Sequence, residues 1–247
     1  MSTPEADGAA VSAGGPHPQE PHGSNIGDKL NWLRAGVLGA NDGIVSTAGV
    51  VLGVAGATAE SSALLVAGVA GAVAGAMSMA AGEYVSVSTQ RDSEEALLAL
   101  ERRELREDPE EELAELTGLY VERGLDPDLA QQVAEQLTAK DALAAHAEVE
   151  LGLDPEALTS PWKAALASMA AFTLGALLPL LTILLVGADL RVPVTVAAVI
   201  VALACTGWIS ARLGYGSVKR AVVRNVFGGA LAMAVTHGIG LLIGTQV

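Results

Sequence analysis

The chain has almost no cysteine. Cys205 is the single one in 247 residues and lies inside an apolar run, which excludes a disulfide framework and any cysteine-based zinc or iron–sulfur centre. Aromatic residues make up 3%, too few to build stacking platforms for bases or sugars. Basic residues number 14 against 28 acidic ones, for a net charge of -14. The basic footprint that a nucleic-acid binder needs is therefore missing. Charged residues of both signs reach only 17% while hydrophobic residues reach 51%, and the mean hydropathy is +0.44. That is too apolar for an ordinary soluble domain or a disordered chain.

The charge that is present is concentrated. Residues 89–160 contain 20 acidic and six basic residues and carry the whole net charge of -14, while the remaining 175 residues contain eight of each sign. Around this acidic segment lie five apolar runs, at 35–59, 61–90, 164–188, 192–211 and 225–247, each long enough for a spanning helix of roughly 20 residues. The first contains one charge, Asp42, the second one, Glu83, and the other three no Asp, Glu, Lys or Arg. Consecutive runs of this length exceed normal globular helices. Small residues recur within them, at Gly68, Gly71 and Gly75 and at Gly228 and Gly229, where they let helices approach closely in lipid. The expected architecture is all-α: a five-helix transmembrane bundle with a three-helix cytoplasmic insert between spans two and three.

Orientation follows from Lys and Arg. Lys29 and Arg34 precede span one, seven basic residues lie between spans two and three, and Arg212, Lys219, Arg220 and Arg224 lie between spans four and five; the other side has Arg191 alone. Thirteen against one places the N-terminus and the insert in the cytoplasm and the C-terminus across the membrane. The expected divisions are a disordered cytoplasmic tail at 1–28, spans one and two at 29–90, the acidic helical domain at 91–160 and spans three to five at 161–247. The tail lacks the apolar middle of a secretory signal; its His17 and His22 are more often incidental than metal ligands in such a setting. The composition suits a bacterial inner membrane.

Inside the insert, span two continues without a breaker through 90–107. Asp108-Pro109 and Asp126-Pro127 each read as an N-cap followed by proline at the first helical position, and Gly124 and Gly152 read as helix stops, the last helix running to about Leu151. Glu101 and Glu104 share one helix face, Glu112 and Glu115 share another, and His146 and Glu150 share a third. Should the helices fold back on one another, these pairs converge, and a cation relieves the repulsion. Oxygen donors with one imidazole suit Fe(II), Mn(II), Co(II) or Zn(II). The competing reading is a solvated acidic face partnered by Arg102, Arg103 and Arg106.

A carboxylate within a span costs roughly 2.5–3.5 kcal/mol on insertion scales and marks an ion or proton path. Asp42 is such a group, with Asn41 and Ser46 as neighbouring oxygens. Met79 and Glu83 share a face of span two, with Met77 on another. A thioether discriminates against hard Ca(II) and Mg(II) in favour of transition metals. The alternatives are packing for Met79 and an interfacial position for Glu83.

The blocks LRAGVLGANDGIVSTAGVVLGVAGA (33–57), AGAMSMAAGEYVSVSTQRDSE (74–94), VELG (149–152) and GALLPLL (175–181) resemble the vacuolar iron transporter family, over about residues 30–245. The resemblance implies a five-span homodimer that exports Fe(II), and often Mn(II), from the cytosol in exchange for protons, with no permanently bound cofactor. It implies a transmembrane metal path through Asp42 and Met79, and a cytoplasmic domain binding metal through Glu101, Glu104, Glu112, Glu115 and Glu150. His146 stands where plant-type members have methionine. Glu83 is a candidate for a further proton or metal site. Two other readings use the same residues: a membrane-bound metal sensor, and a di-metal oxidase. The oxidase would need Glu-x-x-His motifs, and Leu143 sits three before His146.

Overall fold

The structure, a computed structural model, describes residues 26–245, with side chains from Ala35 onward. The expected N-terminal tail with His17 and His22 falls outside the described residues, save for the first residues of the opening helix. Seven α-helices follow one another: α1 (Ile26–Ala57), α2 (Ser61–Glu107), α3 (Pro109–Glu122), α4 (Pro127–His146), α5 (Pro161–Leu185), α6 (Arg191–Leu213) and α7 (Val218–Gly244), with a π-helical turn at Ala147–Leu151 after α4. No strand occurs among the described residues.

Five of these helices are long and apolar enough to cross a membrane: α1 from Ala35, α2, α5, α6 and α7. Helices α5 to α7 have 25, 23 and 27 residues. At 1.5 Å per residue that is roughly 35–40 Å, a match to a hydrocarbon core of about 30 Å. Helix α2 has 47 residues, roughly 70 Å, so more than half of it lies beyond such a core. Its apolar half belongs to the bundle and its charged half to the segment that α3 and α4 complete.

Helix α1 is the centre of the bundle, packing against α2, α5, α6 and α7. The buried core joins Ile44, Ala48, Val51 and Leu52 of α1 to Leu64 of α2, Ile183 of α5, Val199 and Leu203 of α6 and Met233 of α7. Missing side chains allow this crowding. A Cβ on Gly175 would strike the Ala40 carbonyl oxygen, and one on Gly43 the Phe172 carbonyl oxygen, so α1 and α5 meet backbone to backbone. A Cβ on Gly240 would likewise strike the Gly53 carbonyl oxygen, where α1 crosses α7. The expected glycines of α2 act more modestly: Gly75 faces the Phe172 ring and Gly68 the side chains of Leu180 and Val51. Gly229 faces Leu203, while Gly228 meets nothing. Large apolar residues such as Leu174, Leu185, Phe227 and Leu242 cover the outside.

Between α2 and α5, helices α3 and α4 pack on each other and on α2 around Leu116, Ala134 and Ala145. Gly124 and Gly152 have positive φ, 98° and 65°, as helix-ending positions require. The last helix of this segment does not run unbroken to Leu151. Asp141 adopts an extended conformation (φ -163, ψ 97), and its carboxylate accepts a hydrogen bond from the Ala144 N–H at 3.0 Å. An Asp that caps the backbone three residues on restarts the helix in a new direction, and that break carries His146 toward α2.

Candidate functional site

The segment beyond the bundle builds a cluster by placing charged residues where its apolar stripe should continue. Leu98 is buried on α2, and Glu101, three residues later, occupies the same stripe. Leu116 is buried on α3, and Glu112, four residues earlier, occupies its stripe. His146 ends α4 between the buried Ala145 and Ala147 and is itself fully enclosed. One ligand-type atom from each of Glu101, Glu112 and His146 lies within 4.8 Å of the others.

Nδ1 of His146 is 3.0 Å from Oε1 of Glu101, 3.6 Å from Oε2 of Glu112 and 3.8 Å from Oε2 of Glu150. Donors held at about 2.1 Å from one ion lie roughly 3.0 to 4.2 Å apart, depending on the angle between them. Glu101, Glu112 and His146 thus lie close enough to share one ion, and Glu150 adds a carboxylate oxygen within 3.8 Å of the imidazole. Oε1 of Glu101 and both ring nitrogens of His146 are buried with no hydrogen-bond partner among the described residues, a costly state for polar atoms left to themselves.

The electrostatics agree. Burial, followed by the charges of Glu150, Glu112, Glu104 and Glu115, raises the Glu101 carboxyl from 4.5 to about 7. Burial first, then neighbouring carboxylates, raises Glu112 and Glu150 as well. Burial lowers His146, against the pull of Glu115, which favours the neutral imidazole that can act as a ligand. Glu104 and Glu115 stand at the rim and act through their charge. Arg102, Arg103 and Arg106 form no ion pair with these carboxylates among the described residues.

A second set of groups lies within the bundle. A cavity of about 290 Å³ between α1 and α2 is lined by Asp42, Ser46, Ser78, Met79, Glu83 and the ring of Phe172, among others. Asp42 and Ser46 are one turn apart on α1, and Met79 and Glu83 one turn apart on α2, so each helix turns two polar or soft groups to the same space. Met77 is exposed elsewhere. The Ser46 hydroxyl donates to the Asp42 backbone carbonyl at 2.6 Å. Asn41 does not join this group. It lines a different cavity, toward α6 and α7, because consecutive helical residues point about 100° apart.

Sequence reasoning missed Ser78, which lines the cavity one residue before Met79, and His237, a histidine inside span five. Nδ1 of His237 lies 2.8 Å from the Leu52 carbonyl, so it donates there and ties α7 to α1. The signal for His237 was available: an ionisable side chain in an apolar run.

Comparison with known proteins is consistent across the chain. A profile described as the VIT family matches residues 33–241. A protein named vacuolar iron transporter, from Acanthamoeba castellanii (strain ATCC 30010 / Neff), is 44% identical over 228 residues, covering 90% of this chain and 82% of that protein. Vacuolar iron transporter homolog 5 of Oryza sativa subsp. japonica is 40% identical over 221 residues, 87% of this chain and 84% of its own length. Vacuolar iron transporter homolog 4 of Arabidopsis thaliana is 37% identical over 219 residues, 88% and 87% respectively.

Proposed function

Because the chain belongs to the vacuolar iron transporter family, and is thus a membrane iron transporter rather than an enzyme, we propose that it exports Fe(II), and also Mn(II), from the cytosol in exchange for protons. The observation that carries this reading is the meeting of Asp42, Met79 and Glu83 on one cavity within the apolar spans. A carboxylate supplies charge for a divalent ion and the thioether selects against Ca(II) and Mg(II).

The acidic segment acts as the capture site on the cytoplasmic side. Its net charge of -14 raises the local concentration of divalent cations. Glu101, Glu112, His146 and Glu150 hold an ion directly, with Glu104 and Glu115 adding charge at the mouth. Zn(II) and Co(II) suit the same donors. Ion and proton compete for the same carboxylates, since ligation requires the ionised form. Protons arriving from the far side neutralise Asp42 or Glu83 and release the ion there. The cavity is open along α1 and α2 in a single protomer, with Val50 exposed at its edge. A homodimer in which the partner closes this side completes the path.

Proteoliposomes loaded with a metal-quenched dye test the reading. Fe(II) or Mn(II) flux should depend on a proton gradient, and Asp42→Ala should abolish it. A metal sensor would bind metal through Glu101 and His146 without flux. Normal transport by Asp42→Ala would sink the path assignment.

A further inference from the structure

A second cavity in the bundle, about 550 Å³, lies between α1 and the turn that joins α6 to α7 and shares Leu38 with the cavity of Asp42. Arg220 and Arg224, one turn apart on α7, line it together with Ser210, Ser217, Asn225 and Asn41. Among the described residues no carboxylate lines it. Neither arginine is ion-paired among the described residues. Helix α7 begins here, and Ser217 makes no side-chain cap to it, so the N–H groups of the first turn are open to a ligand at the positive end of a 27-residue helix.

Two further observations narrow the ligand. Oδ1 of Asn41 is buried with no hydrogen-bond partner among the described residues. Being an acceptor, it requires a donor, which the phosphoryl oxygens of a deprotonated phosphate ester do not offer and an alcohol hydroxyl does. The surroundings mark a depth. Trp208 and Tyr215 are exposed, at 50% and 79%, and the Arg212 guanidinium lies 5.6 Å from the Trp208 ring centroid. Exposed Trp and Tyr beside arginine are the composition of a membrane–water interface. A cavity at that level, opening beside the helix ends, is within reach of a lipid headgroup.

We infer that this cavity binds a phosphorylated polyol of the glycerol-phosphate type. Its phosphoryl oxygens sit between Arg220, Arg224 and the α7 N-terminus, and its hydroxyl donates to Asn41. Guanidinium groups suit this role through paired N–H donors. The shared chemistry belongs to an anionic phosphatidylglycerol headgroup and to soluble glycerol phosphate alike, and the test separates the two.

Native mass spectrometry of the full chain in detergent, with phosphatidylglycerol and phosphatidylcholine offered together, reads the site directly and involves no transport. Two cations near a charged headgroup correspond to about thirtyfold preference for the anionic lipid. Arg220→Gln with Arg224→Gln should remove that preference, while Lys219→Gln and Arg212→Gln, outside the lining, should keep it. Asn41→Ala should lower retention of phosphatidylglycerol without changing that of phosphatidylcholine. Arg224→Lys, which keeps the charge but loses the paired donors, should be intermediate, and it guards against a double variant that fails to fold. Displacement of the lipid by soluble glycerol phosphate would assign the cavity to the soluble ester; persistence of the lipid would assign it to the membrane. Equal retention of the two lipids by the wild-type chain, or a preference that survives in the double arginine variant, would overturn the inference.

Discussion

Nδ1 of His146 lies 3.0 Å from Oε1 of Glu101, at hydrogen-bond distance, yet both atoms lack a hydrogen-bond partner among the described residues. Their geometry is not that of a hydrogen bond, so neither satisfies the other. Glu112 and Glu150 bring two more carboxylate oxygens to the same nitrogen. Several carboxylates crowded on one buried imidazole are unfavourable together without a cation, and that arrangement underlies the proposed capture site.

Removing a donor should weaken capture without unfolding the bundle, since the cluster sits on α2, α3 and α4 outside the spans. Glu101→Ala and His146→Ala should each lower Mn(II) affinity of the purified protein by at least about tenfold, the low end of what even an outer-shell partner is worth. Isothermal titration in detergent measures this. Unchanged affinity in both variants would mean that the cluster is not the binding site.

The pH dependence has a definite sign. Folding raises Glu101 to about 7, so between its ordinary 4.5 and about 7 the folded state holds a proton the unfolded chain has lost. Metal-free protein therefore loses stability from this group as pH rises through that window. His146 acts oppositely: its value is lowered from 6.5, so its contribution is full above 6.5 and is lost as pH falls. Bound metal requires ionised Glu101. The rise in melting temperature on adding Mn(II) should be large above about pH 7 and shrink on acidification. Glu101→Gln should flatten this dependence, and a rise independent of pH in the wild-type chain would contradict it.

Within the membrane, Asp42→Ala and Met79→Ala should bring dye-reported flux to the background of empty liposomes. Glu101→Ala and Glu104→Ala should slow it less, because capture raises local concentration whereas the cavity groups lie on the path. A Glu101→Ala chain more impaired than Asp42→Ala would reverse that order of roles.

The crossing of α1 and α5 offers a test of packing alone. A side chain at Gly175 would meet the Ala40 carbonyl, which belongs to a helix backbone and cannot move aside. Gly175→Val should destabilise the protein by about 1–3 kcal/mol, as overpacking does, seen as a lower melting temperature in detergent. Gly228→Val, with open space around it, should melt with the wild-type chain.

The apolar runs, and the proline, glycine and aspartate signals between them, determined the number and type of helices from the sequence alone, since a long apolar helix satisfies its own backbone wherever it lies. The spacing of Glu101, Glu112, His146 and Glu150 indicated which helix faces carry carboxylates and the imidazole. Tertiary structure decided what those faces meet. The bend at Asp141 and the π-helical turn bring His146 onto Glu101, and neither has a sequence signature, because a helix interior tolerates an Asp unless packing makes its cap worthwhile. It was also tertiary contact that parted Asn41 from Asp42. Adjacent residues on α1 face different neighbours, and only the placement of α2 on one side and of α6 and α7 on the other gave each residue a cavity of its own.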